Sequence, residues 1–284
     1  MQIITAPQEM QATASAWRKQ GLSIAFVPTM GYFHAGHLSL MEYGRSRGDR
    51  LVVSIFVNPT QFCPHEDLAR YPRDLERDCQ LAAGVGVDLI FAPAAGQMYP
   101  PGYQTYVEVT EVSKGLCGAF RPGHFRGVAT VVLKLFNLVQ PHVAIFGEKD
   151  YQQLIAIQRL VLDLNLPIEV VGRPLVREED GLAMSSRNVY LRPDERQTAL
   201  KLSQALFRAR ELAAQGVRTK EEIFTAIRPL LANDPLLRLD YLALLDPHTL
   251  AEIPLISRHA RLAVAAWVGQ TRLIDNILLE VPQE

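Results

Sequence analysis

The densest chemistry in the chain lies in Pro28-Thr-Met30-Gly31-Tyr32-Phe33-His34-Ala35-Gly36-His37. Two imidazoles three residues apart, with Gly36 between them permitting close backbone approach, can both face a triphosphate. A pair of solvated histidines flanking a turn has the same spacing, so position must decide. A second segment, Gly147-Glu148-Lys149-Asp150, sets an ammonium immediately before a helix start, where it can meet bound phosphates or form a solvated charged turn. A third, Gly181-Leu-Ala-Met184-Ser185-Ser186-Arg187-Asn188, sets two hydroxyls beside a guanidinium: an anion-binding loop or a serine-rich linker. A zinc site would need further ligands, and Cys63, His65 and His124 stand at no recognisable spacing. There is no GxxxxGK[ST] phosphate loop and no GxSxG elbow. Gly84-Val-Gly86 has Leu89 where a third glycine would stand, and it precedes a strand instead of following one, which argues against a dinucleotide fingerprint.

These segments need elements to hold them. Residues 5–8 read as a capping box with Pro7 in the first turn, and Met10, Ala14 and Trp17 mark one face of a helix that Gly21 ends. Residues 22–27 form an apolar strand stopped by Pro28; residues 37–48 form a helix, and residues 51–57 a second strand stopped by Asn58-Pro59. A helix over residues 66–83, a strand at 88–91 and a half-exposed strand at 105–109 follow. Residues 127–139 are an apolar helix that must end before Pro141, and 143–146 are strand-like. Asp150-Tyr-Gln-Gln153 opens a helix with box-like capping, and residues 168–171 close the series. Nearly continuous apolar strands alternating with helices predict a doubly wound, Rossmann-like parallel sheet. In such a sheet the carboxyl ends of the strands form the ligand crevice, which is where His34 and His37 leave the first strand.

The character changes near Val176. Helices from Pro193 (Ala199, Leu202, Leu206 and Leu212 inward) and from the Thr219-Lys-Glu-Glu222 box (Ile223, Ile227, Leu230 and Leu231 inward) precede strands at 241–245, 262–267 and 272–279. The prediction is an α/β domain over 1–176 and a smaller α+β lid domain over 177–284. A formal net charge of −1 over 284 residues argues against a broad nucleic-acid or membrane-attracting surface. The three unpatterned cysteines suit thiols in a reducing compartment. The absence of a basic lead with an apolar segment, or of a run of ~20 apolar residues, points to the cytoplasm.

Taken together, an HxGH turn after the first strand and a downstream Ser-Ser-Arg loop resemble the paired signatures of the nucleotidylyl-transfer superfamily. Its class I aminoacyl-tRNA synthetases carry a lysine-rich loop where Arg187 here takes the basic role. Within it, the runs PTMGxxHxGHLSL, VSIFVNPTQF, FRPGHFRGVATVV, FGEKDYQQL and GLAMSSRN, in that order across much of residues 25–190, resemble the pantothenate synthetase family. Residues 241–246 carry a weaker signature, and Cys63 stands where glycine is common.

The resemblance implies ATP-dependent condensation of (R)-pantoate with β-alanine to pantothenate, AMP and pyrophosphate, a step toward coenzyme A, through a pantoyl adenylate. It assigns His34 and His37 to ATP phosphates, with His37 as proton donor, and Lys149, Ser185, Ser186 and Arg187 to the triphosphate. Met30 to His37, Gly147, Glu148, Asp150, Val176 and Met184 line the nucleotide site, while Gln61 and Gln153 bind pantoate, Gln61 also standing near β-alanine. Mg²⁺ is expected with ATP, with Asp78 as its candidate partner, and the assembly is expected to be a homodimer. Two rivals are an adenylyltransferase acting on a phosphorylated acceptor and a non-catalytic nucleotide-binding regulator. The neutral amides of Gln61 and Gln153 favour a hydroxy acid over a phosphorylated acceptor, and intact His37, Lys149 and Arg187 favour an enzyme.

Overall fold

In the computed structural model, which describes residues 1–282, the chain opens with a strand that its pattern does not announce. This strand, β1 (Gln2–Ile4), is three residues long and buries only Ile4, too little for a period to show. The helix α1 (Pro7–Lys19) starts at Ala6 without a side-chain cap, so the expected Thr5 box does not form. Pro7 at the helix start brings a fixed φ and lacks an N–H in need of a partner.

The strand β2 (Ile24–Thr29) runs through Pro28 instead of ending before it. β3 (Arg50–Ile55) follows β2 as far as Thr29, whereas β5 (Val143–Gly147) pairs with it only at Ala25 and Phe26. Pro28 thus lies beyond the point where one of the two ladders has ended, which is where a strand tolerates proline. The remaining strands of this sheet are β4 (Leu89–Phe91) and β6 (Glu169–Arg173). Helices α2 (Ala35–Arg45), α3 (Leu75–Gly84), α6 (His124–Val139) and α7 (Tyr151–Asp163) join them, with single-turn α4 (Ala95–Met98) and α5 (Cys117–Phe120).

Two expected elements differ. Only Leu75–Gly84 of the helix expected over 66–83 is helical, because Pro72 bars a continuous helix and Asp74 caps a new one through Oδ1 to the Arg77 N–H at 3.0 Å. Residues 105–109 form no strand. The Val107 N–H donates to Thr130 Oγ1 at 3.0 Å, and Val107 and Val109 pack in a small cluster with Ala129 and Leu133 of α6. Their alternation is real, but the surface they cover is a helix.

The sheet is wholly parallel in the order β1-β4-β3-β2-β5-β6. After β2 the chain builds outward through β3 and β4, then returns to lay β5 and β6 on the other side of β2. The order therefore reverses between β2 and β5, and a crevice opens there at the carboxyl ends of the strands. Ala25, Val27, Met41, Leu51, Val53, Ile90 and Ile145 make one core layer of this Rossmann-like unit.

By internal contacts the chain divides into Met1–Glu148 with Gln153–Pro174, and a second unit of Lys149–Gln152 with the chain from Leu175 onward. The second unit packs α8 (Pro193–Ala214) and α9 (Lys220–Leu231) on an antiparallel sheet of β7 (Leu237–Leu245), β8 (His259–Val268) and β9 (Thr271–Glu280). Thr219 caps α9 by accepting from the Glu222 N–H. Ile223, Ile227 and Leu231, four residues apart, face the core, whereas Leu230, at the edge of that stripe, is exposed, against expectation. The three cysteines are thiols. No helix among the described residues is long and apolar enough to cross a membrane.

Candidate active site

The HxGH turn joins β2 to α2. Thr29 Oγ1 donates to the Ser54 carbonyl at 2.6 Å and accepts from the Gly31 N–H at 3.1 Å, tying the strand end to β3. Gly31 and Tyr32 then adopt left-handed φ of 83° and 55°, a reversal unusual for tyrosine. His34 follows as the extended N-cap of α2. Its N–H points at His37 Nδ1 at 3.4 Å, and the two rings lie 4.1 Å apart between centroids. With Nδ1 accepting, the proton of a neutral His37 belongs on Nε2. Buried Phe33 backs the His37 ring at 5.6 Å. The histidines thus stand where the helix N-terminus and the sheet's switch point coincide, a setting that favours anions. Gly147 closes β5, the neighbour of β2 across that switch point.

Asp78, in the first turn of α3, is 1% exposed. Its Oδ2 accepts from the Tyr32 N–H at 2.6 Å and its Oδ1 from the Phe33 N–H at 2.7 Å. Burial raises its carboxyl above the ordinary value, although both N–H groups and the Arg77 guanidinium, 3.8 Å away, favour the charged form. Enclosed and with both oxygens engaged by main chain, Asp78 does not fit a magnesium ligand. Among the described residues no group of three or more His, Cys, Asp or Glu side chains could hold a metal ion.

Gln61 lies in a 3-10 turn, Pro59–Gln61, nearly buried at 9% exposure. Its Nε2 donates to Met30 Sδ at 3.2 Å, which brings an expected pantoate residue against an expected nucleotide residue, and its Oε1 accepts from Asn58 Nδ2 at 3.0 Å. Asn58 also donates to the Gly127 carbonyl, and its Oδ1 accepts from Tyr99 Oη at 2.9 Å. Burial pushes the Tyr99 phenol up to about 12 and keeps it a donor. Gly127 lets α6 approach this turn, since a Cβ there would lie 2.3 Å from the Thr60 carbonyl oxygen. The Gln61 main chain is held as well: its carbonyl takes His124 Nδ1 at 2.8 Å and Arg121 Nη2 at 3.3 Å. Arg121 Nη1 meets His124 Nε2 at 3.0 Å, so the neutral ring donates through Nδ1 and accepts through Nε2. Arg121, His124 and Glu66 carry no role in the sequence reading. Arg121 and His124 stand in the FRPGHFRG run, but only folding shows what they grip. Gln153 lies half-buried in the first turn of α7, outside this network.

The other expected residues belong to the second unit. Lys149 follows Gly147 and Glu148 in a 3-10 turn (Glu148–Asp150), and its carbonyl accepts from Asn276 Nδ2 of β9 at 3.0 Å. Its Nζ is 3.9 Å from Asp150 Oδ2. Val176 and Met184 meet through the Met184 N–H to the Val176 carbonyl at 3.0 Å, and Arg177 bridges to Ala183. Ser185 caps a second 3-10 turn, Ser186–Tyr190, accepting from the Arg187 N–H at 3.2 Å. Arg177 anchors the loop by a bidentate pair with Asp275 at 2.6 and 2.9 Å; burial raises the Asp275 carboxyl even against that charge. Ser185, Ser186 and Arg187 are therefore presented together on a braced loop.

The family model described as pantoate-β-alanine ligase matches residues 2–278. A pantothenate synthetase of Syntrophus aciditrophicus is 58% identical over 97% of this chain and 96% of its own. One of Syntrophobacter fumaroxidans is 57% identical over 98% and 99%. The crystal structure of pantothenate synthetase from Thermus thermophilus superposes with a TM-score of 0.92 at 49% identity, covering 98% of this chain and 99% of that one. The pantoate-β-alanine ligase of Francisella tularensis, solved with β-γ ATP and β-alanine, gives a TM-score of 0.82 at 35% identity over 98% and 97%.

Proposed function

The chain belongs to the pantoate-β-alanine ligase family and is a ligase, and from that premise we propose how its residues join (R)-pantoate to β-alanine at the expense of ATP. A carboxylate cannot expel oxide to an amine, so it must first gain a better leaving group. The pantoate carboxylate attacks the α-phosphorus of ATP and expels pyrophosphate. The β-alanine amine then attacks the acyl carbon of pantoyl adenylate, expels AMP and loses a proton. Charge develops on phosphate oxygens, so catalysis is positioning plus fixed donors.

The observation that carries this reading is the pairing of His34 and His37 at the helix start with Gln61 on Met30 nearby. The histidines meet phosphate oxygens, and His37 Nε2–H donates to the oxygens that leave with pyrophosphate. The turn from Met30 to His37, with Gly147 and Glu148, bounds the nucleotide. Gln61 and Gln153 hold the hydroxyls of pantoate without adding charge beside its carboxylate, and Gln61 stands near the incoming amine. Lys149, Ser185, Ser186 and Arg187 grip the triphosphate, with Asp150, Val176 and Met184 beside the nucleotide. The Francisella relative's pairing of a nucleotide with β-alanine supports the same substrate set here. Mg²⁺ enters as the counter-ion of ATP. A cytoplasmic homodimer completes the reading.

Incubation with ATP, Mg²⁺, pantoate and β-alanine should yield pantothenate and AMP by mass spectrometry. ADP in place of AMP, or no pantothenate, rejects the reaction.

A further inference from the structure

We propose that Asp78 is the positioning residue of the phosphate-binding turn: its carboxylate holds the left-handed Gly31–Tyr32 reversal and thereby aims His34 and His37. The proposal deepens the ligase reading and rests on it for the identity of the reaction.

Three observations converge on this carboxylate. First, the two N–H groups it accepts, Tyr32 and Phe33, are consecutive and at 2.6 and 2.7 Å. They are the last two before the His34 cap, so an acceptor pair there fixes the direction from which the chain enters α2. Second, Tyr32 has φ of 55°, which disfavours a side chain bearing a Cβ and needs an outside constraint to persist. Third, the fit is tight. A Cβ on Gly31 would sit 3.0 Å from Asp78 Oδ2 and 2.9 Å from Ile55 Cγ2, so the turn and the carboxylate occupy one another's available space. Arg77 completes the arrangement, its guanidinium 3.8 Å from Asp78 Oδ1 and 5.3 Å from the Tyr32 ring centre. Asp78 touches neither histidine ring in this scheme. It acts through main chain, and the anchor lies on α3, an element that would otherwise have no part in the reaction.

A positioning role and a metal-ligand role separate experimentally. Asp78→Asn keeps the shape but presents an NH₂ donor where one carboxylate oxygen stood, so one of the two N–H groups loses its acceptor. A small displacement of reacting groups costs up to roughly 100-fold in rate. Asp78→Asn should therefore lower kcat by about 30- to 100-fold and raise the KM for ATP. The KM for pantoate and the Mg²⁺ concentration for half-maximal rate at fixed ATP should stay unchanged. Independently of turnover, the amide protons of Tyr32 and Phe33 should resonate far downfield in the wild type and move upfield in Asp78→Asn. Should that variant fail to fold, Gly31→Ala carries the test, because it crowds the same carboxylate without removing it and should give the same split. Near-normal kcat with unmoved amide resonances overturns the proposal. So does a raised Mg²⁺ midpoint with activity restored by excess Mg²⁺, which would make Asp78 a metal ligand. A wild type that makes no pantothenate would reject the ligase reading instead, while the amide resonances still judge Asp78.

Discussion

Arg121 grips Glu66 through two bonds, Nε to Oε1 at 2.6 Å and Nη2 to Oε2 at 2.8 Å, with both side chains only 13% exposed. The same guanidinium reaches the Gln61 carbonyl and His124 Nε2. Glu66 also accepts from the Cys63 N–H at 3.1 Å. The pair therefore pins the chain on the far side of Gln61, while Asn58 holds its amide head.

Breaking this pair should loosen Gln61 and destabilise the fold together. Burial by itself would raise the Glu66 carboxyl, but the Arg121 hydrogen bonds and charge outweigh it and hold the group below its ordinary value. A carboxyl lowered on folding stabilises above its ordinary range and loses that contribution as pH falls through the lowered value. Glu66→Gln should cost about 2–3 kcal/mol at pH 7, below the range for a fully enclosed pair because both groups retain some solvent. Its stability should also vary less between pH 5 and 3 than the wild type's. Urea denaturation at pH 7 and between pH 5 and 3 measures both, and the KM for pantoate should rise while that for ATP holds.

Gly127→Ala should be damaging although only one methyl is added. The new Cβ would sit 2.3 Å from the Thr60 carbonyl oxygen, so α6 and the Asn58-to-Gln61 turn must separate. Overpacking against backbone costs about 3 kcal/mol. The expected signature is a lowered melting temperature with a raised pantoate KM; an unaltered KM would show that the turn does not hold pantoate.

Lys149→Ala should leave the fold intact, because Asn276 bonds the Lys149 carbonyl and not its ammonium. Loss of one fixed donor to a transferring phosphate costs ~3–4 kcal/mol, or about 10²–10³ in kcat. Steady-state rates alongside thermal melting check this, and near-normal turnover would remove Lys149 from the chemistry.

A two-step mechanism requires pyrophosphate to leave before the amine is needed. Labelled pyrophosphate should exchange into ATP with pantoate and Mg²⁺ in the absence of β-alanine, and His37→Ala should depress that exchange. Exchange that strictly requires β-alanine would exclude the free adenylate.

The Rossmann-like layer and the position of its histidines were legible in the sequence because buried parallel strands are continuous apolar runs, and His34 and His37 follow one of them directly. The segments at Lys149 and Ser185 were legible by the same logic, as polar runs punctuating apolar elements. Local pattern went astray where proline or distant packing intervened: Pro72 cut short the helix expected from residue 66, and the alternation at Val107 and Val109 faced α6 instead of a strand. Asp78 entered only as the candidate Mg²⁺ partner that the resemblance implied, since nothing local shows that Tyr32 and Phe33, some 45 residues earlier, would aim two N–H groups at it. Glu66, Arg121 and His124 were opaque for the same reason. Residue type and period determine which elements form and which face they bury. Which carboxylate meets which N–H, and so what holds Gln61 and the histidines in place, is decided only when segments distant in the chain are packed together.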